Sequence, residues 1–108
     1  MIFLITNEAA VFASDEFLTE IISGLEANSN YTYLFLTEKR KILASKTLKE
    51  FEELLPSCIF FRTHHSNLIN LNFIKRYIKG DGGQIELTNG DYVDVSRRKK
   101  EEFLKLIK

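Results

Sequence analysis

Cysteine is almost absent from this 108-residue chain: Cys58 stands alone, so no intramolecular disulfide can form and nothing points to an oxidising compartment. Beside Ile59, Phe60 and Phe61 it reads as a buried small hydrophobe rather than a nucleophile. Long apolar runs are missing too. The start, MIFLITNEAA, holds four apolar residues between Met1 and Thr6, without a basic leader or a small-residue cleavage site, and reads as a strand rather than a signal peptide or membrane span. A net charge is also lacking, with 15 basic against 15 acidic residues. The expectation is one soluble, cytoplasmic domain, because 108 residues suffice for a core but not for a second domain.

The zero charge hides an asymmetry. Residues 1–61 carry five Lys and Arg against nine Asp and Glu, whereas residues 62–108 carry ten against six. A basic half of this kind suggests a binding surface for an anionic partner, or a dipole on a solvated surface.

Hydropathy patterning predicts a mainly β chain. IFLIT and AAVFAS form a first strand pair, IISGLEA a third strand, YTYLFLT a fourth with Tyr31, Tyr33 and Phe35 on one face, and KILA a fifth. TLKEFEELLP changes period. Thr47 and Glu50 make a capping box, Leu48, Phe51, Leu54 and Leu55 form an apolar stripe, and Pro56 stops the helix. Further strands follow in CIFFR and FIKRYIKG, then a hairpin in QIELTNGDYVDVS. A three-residue loop, Thr88 to Gly90 with glycine left-handed, pairs Ile85 with Val93 and puts Val95 on the same face; a two-residue Asn-Gly loop would split that apolar set. A last helix starts at Ser96 as N-cap and buries Phe103, Leu104 and Ile107. Arg97, Arg98, Lys99 and Lys100 fill its first turn, where a helix favours anions by about 0.3–1 kcal/mol per charge, and a phosphate arriving there would make sense of them.

The polar stretch RTHHSNLIN, residues 62–70, holds both histidines. Two adjacent histidines on a strand point in different directions and fall one short of a three-ligand zinc site, so no metal or cofactor is expected. Nucleophilic catalysis by Ser66 or Cys58 would need an orienting acid, which the local sequence lacks, so no enzyme is expected.

Taken in order, SKTLKEFEELLP, FFRTHHSNLINLNFIK and GDGGQIELTNGDYVDVSRRKKEEF resemble the LytTR DNA-binding domain, the output module of many bacterial response regulators. The resemblance covers residue 20 to the end closely and the chain from residue 2 more loosely, which makes residues 1–108 a single LytTR-like domain. It implies elongated antiparallel sheets with one short amphipathic helix and a short C-terminal helix. It further implies a transcriptional regulator that reads promoter repeats in double-stranded DNA with loops in successive major grooves.

By the same resemblance, His64 holds the loop or a phosphate, Ser66 and Asn70 fix the turn, and Ser66 reaches a phosphate. Asn67 stands where the family commonly has an aromatic and is expected to be exposed. His65 replaces the family's usual basic or amide residue. Arginine can grip guanine with two hydrogen bonds, about 1–3 kcal/mol of discrimination, whereas histidine offers a single one. Asn30 or Tyr31, in the loop of residues 28–31, is the second contact, although asparagines there also serve as turn formers. Arg97 is the principal base contact, Arg98, Lys99 and Lys100 anchor phosphates, and Lys75 and Arg76 flank them. Partners besides DNA are a receiver domain in a longer chain or a second copy on an adjacent site; no membrane is involved. The alternative is a LytTR-like interaction module that regulates a partner without binding DNA. The two readings part on whether Arg97 and residues 28–31 share a surface with His65.

Overall fold

In the computed structural model, residues 2–5, 10–13 and 19–107 are described. Among the described residues, ten strands form three antiparallel sheets, accompanied by two α-helices whose full bounds are described, and the molecule extends 40 × 25 × 22 Å. β1 (Ile2–Ile5) pairs with β2 (Ala10–Ala13). The central sheet is made of β3 (Ile22–Asn28), β4 (Tyr31–Leu36), β5 (Lys41–Ala44), β6 (Phe60–His64) and β7 (Asn67–Asn70), ordered β5-β4-β3-β7-β6. The third sheet has β9 (Gln84–Leu87) between β8 (Ile74–Ile78) and β10 (Tyr92–Asp94). Helix α1 is Leu48–Leu54, and α2 is Arg97–Leu106. This is the elongated antiparallel architecture expected from the sequence, and no helix among the described residues is long and apolar enough to cross a membrane.

Alternation along β6 and β7 gives the central sheet two apolar faces. Phe60 and Leu68 join a core with Ile22, Leu25, Leu34, Leu36, Leu48, Phe51 and Leu55, over which α1 lies. Phe61 and Ile69 join a second core with Ile85, Leu87, Val95 and Phe103, closed by α2. In β4 the buried positions are Thr32 and Leu34 and Leu36, while Tyr31 is 49% exposed and Tyr33 and Phe35 are half-buried on the opposite face.

The local signals act as expected. Thr47 Oγ1 accepts from the Glu50 amide at 3.2 Å, and the Glu50 carboxylate accepts from the Thr47 amide at 3.2 Å, closing the capping box. Ile85 lies opposite Val93, and the Gly90 amide donates to Leu87 at 3.0 Å with Gly90 at φ +93°, so the three-residue loop is the one formed. Gly82 is required for a different reason: a Cβ there would lie 1.8 Å from the Val95 carbonyl oxygen.

Five expectations fail. Leu54 is 46% exposed, because the buried stripe runs through Leu48, Phe51 and Leu55 and Leu54 falls to its side. Ile107 is 41% exposed; it is the C-cap of α2, at φ −98°, ψ 5°, where helical spacing ends. Cys58 is exposed, since the chain turns after Pro56 and places it outside the sheet that begins at Phe60. The other two concern the histidines and Asn67 and are described with the site.

Thr63 is fully buried in β6, and its hydroxyl has no hydrogen-bond partner among the described residues. Thr63→Val keeps the shape and removes that unsatisfied group, and should raise stability by about 1 kcal/mol in chemical denaturation. Unchanged or reduced stability would show that the hydroxyl is satisfied in solution.

Candidate nucleic-acid interface

One end of the central sheet gathers three segments far apart in sequence. The β6–β7 turn carries His65 and Ser66. Beside it, β3 pairs with β7 through Glu26 opposite Asn67, and the Ala27 amide donates to the Ser66 carbonyl at 2.9 Å. The β3–β4 turn, with Ser29 at φ 56° followed by Asn30, is therefore the next tip along the same sheet end. On the other side, the Ser96 amide donates to the Thr63 carbonyl at 2.8 Å and seats the N-terminus of α2 against β6. Strands about 4.8 Å apart put these three features in a row.

The β6–β7 turn has a built geometry. A register shift between Arg62 and His64 breaks the alternation of β6, and the chain then turns at His65. The two imidazoles consequently lie against each other, centroids 4.1 Å apart and tilted by 39°, instead of pointing apart as strand alternation predicts. His64 Nδ1 lies 3.0 Å from Ser66 Oγ and accepts the Ser66 amide at 3.3 Å, leaving its other nitrogen for an external partner. His65 is exposed; Asn67, expected to be exposed, is half-buried because it pairs with both Glu26 and His64. Asn70 anchors the far end of β7. It is fully buried, its Nδ2 donates to the carbonyls of Thr19 and Ile22 at 2.7 and 2.8 Å, and its Oδ1 accepts the Asn72 amide at 2.9 Å.

Basic side chains of α2 adjoin this turn. A cleft of about 260 Å³ is lined by Arg62, His64, His65, Ser96, Arg98 and Lys99. A broader one of about 450 Å³ sets His64 with Arg97 and the loop of residues 79–83. Arg97 is 80% exposed and meets Asp81, itself 87% exposed, at 3.4 Å, a pair that solvent renders weak. Lys99 contacts Glu102 at 3.7 Å and overlies the Phe61 ring at 5.6 Å, while Lys100 Nζ donates to the Gly80 carbonyl at 3.4 Å. The Ser96 side chain makes no capping hydrogen bond. That leaves the first turn of α2 open to an anionic acceptor.

Lys75 and Arg76 belong elsewhere. Both are held by Glu86, at 3.7 and 2.5 Å, in the third sheet, and neither lines the two clefts. The Glu86 hydrogen bond, aided by one to Tyr92, holds the Arg76 guanidinium above its ordinary pKa.

Carboxylates come nearer to the histidines in space than in sequence. Asp81 and Asp94 line the broader cleft, but Asp81 faces Arg97 and Asp94 accepts from Gln84 at 3.1 Å. Among the described residues no three His, Cys, Asp or Glu side chains form a metal-holding group.

Sequence reasoning missed one residue. Arg62 donates from Nε to the His64 carbonyl at 3.0 Å, from Nη2 to the His65 carbonyl at 2.6 Å and from Nη1 to Glu52 at 2.7 Å. Its proximity to the histidines in sequence was a signal, but its link to α1 was not readable.

Comparison with known proteins adds three findings. Residues 17–108 match the family described as the LytTr DNA-binding domain. Curated proteins yield no match. Among solved structures, the chain is similar to a LytTr DNA-binding domain of a putative methyl-accepting/DNA response regulator from Bacillus cereus. Identity is 29%, the TM-score is 0.80, and the match covers 98% of this chain and 94% of that one.

Proposed function

The chain belongs to the LytTr DNA-binding domain family, and from that premise we propose that residues 1–108 act as one sequence-specific reader of double-stranded DNA in bacterial transcription control. One observation carries the reading: the β3–β4 turn, the β6–β7 turn and the basic first turn of α2 lie side by side at one sheet end.

In this reading Arg97 reads a base edge, being exposed and only weakly paired. His65, Asn30 and Tyr31 provide the other groove contacts, all three being exposed. His64 and Ser66 shape the turn and reach a phosphate, with Asn67 supporting them from its half-buried position. Arg98, Lys99 and Lys100 hold phosphates beside the open N-terminus of α2. Lys75 and Arg76, which share the single carboxylate of Glu86, are phosphate contacts only where the duplex extends to the third sheet. A receiver domain in a longer chain, or a second copy on a neighbouring repeat, supplies the regulatory input.

The test is selection of duplexes from a random pool, followed by titration of the winner over a range of salt. Binding should weaken with a log-log slope of about −0.9 per neutralised phosphate. Arg97→Ala should lower affinity for the selected site about 10- to 100-fold, leave non-specific binding far less changed, and alter stability by no more than about 0.5 kcal/mol. No association with any duplex at low salt would sink the proposal in favour of a protein-interaction module.

A further inference from the structure

Among the basic residues described at the interface end, Arg62 is the one whose guanidinium meets a carboxylate and two backbone carbonyls at once. Its side chain is 21% exposed, and three of its donors are taken: two by the consecutive carbonyls of His64 and His65, one by Glu52 of α1. The register shift in β6 leaves the strand end without regular alternation at those carbonyls, where the guanidinium supplies donors. The planar fork of arginine fits this task because it can meet two carbonyls and a carboxylate in fixed directions at once.

From this geometry we propose that Arg62 is a positioning residue: with Glu52 as its anchor it clamps the His64–Ser66 turn to α1, and it does not itself hold a phosphate. The inference rests on the DNA-binding reading and deepens it, since it assigns α1 a part in presenting the β6–β7 turn. The chain of contacts is short. Glu52 fixes Nη1, the fork fixes two carbonyls, and those carbonyls set where the two adjoining imidazoles point. Glu52 is 42% exposed and negative, so it has no direct use for DNA.

The experiment compares wild type, Arg62→Ala, Arg62→Lys and Glu52→Ala in titrations of a selected duplex over a range of salt. Amide exchange at His65 and Ser66 is measured on each free protein, with a thermal melt to establish folding. Arg62→Ala and Arg62→Lys should both lose about tenfold or more in affinity with the salt slope unchanged, and both should exchange faster at the turn. Glu52→Ala should speed exchange at the turn in the same sense. Two results would overturn the proposal: a salt slope lowered by about 0.9 in Arg62→Ala, as loss of a phosphate contact requires, or Arg62→Lys retaining wild-type affinity and exchange. If Arg62→Ala does not fold, Arg62→Lys and Glu52→Ala decide. If wild type binds no duplex, the DNA reading fails, and the exchange rates still decide whether Arg62 holds the turn.

Discussion

Replacing Asn70 by aspartate is expected to cost about 3–5 kcal/mol at pH 7, enough to unfold much of a marginally stable domain. The two side chains are nearly the same shape, so packing is unchanged and the chemistry alone is tested. Asn70 donates two hydrogen bonds from Nδ2, to Thr19 and Ile22, and is fully buried. A carboxylate in its place would press negative oxygen against two carbonyls and satisfy neither. The pH dependence has a definite sign. Such an aspartate has a folded pKa raised above its unfolded value of about 3.9, so the penalty is small below that value and grows as pH rises toward the folded pKa. Denaturant melts from pH 3 to 7 read it directly, with wild type as the reference for the fold's own acid sensitivity. A constant, small difference between the two proteins across that range would mean that Asn70 does not donate to these carbonyls.

Phe103→Ala is expected to cost about 3–5 kcal/mol, equivalent to a drop in Tm on the order of 20 °C. Phe103 is the one fully buried side chain of α2, with its ring 5.8 Å from both Phe61 and Tyr77. Truncation opens a cavity and removes two aromatic contacts together. The functional effect follows from the same packing. Phe103 is the anchor that holds α2 on β6, and Arg97 to Lys100 ride on that helix. DNA affinity should therefore fall although no proposed contact is touched. Calorimetry and a duplex titration well below the mutant's Tm check the two halves; a loss under about 1 kcal/mol would show that the helix is held by something else.

The contrast between those two residues and the rest of the chain explains how much could be read in advance. Signals that close within a few residues were legible: the Thr47–Glu50 box, the stop at Pro56 and the Gly90 loop with Ile85 opposite Val93. Each is decided by bonds between neighbours in sequence. Leu54 and Ile107 went wrong because both sit at a helix end, where period alone does not say which residue still meets the sheet. The directions of the two histidines went wrong because a bulge cancels the alternation on which the expectation rested. Asn70 reaches back 51 and 48 residues, and Arg62 meets Glu52 ten residues away across a helix–strand boundary; neither pairing follows from any local pattern. The grouping of the 28–31 tip with the β6–β7 turn came only through the family resemblance. Its physical cause, the placement of β7 beside β3, is a matter of sheet order.

That sheet order bears on evolution as much as on shape. Phe60 and Leu68 face one apolar compartment, Phe61 and Ile69 the other, so β6 and β7 form a party wall. The turn joining them is rooted in masonry shared by two rooms. Its exposed tip, His65, can change residue without touching either core, while the wall behind tolerates almost no remodelling.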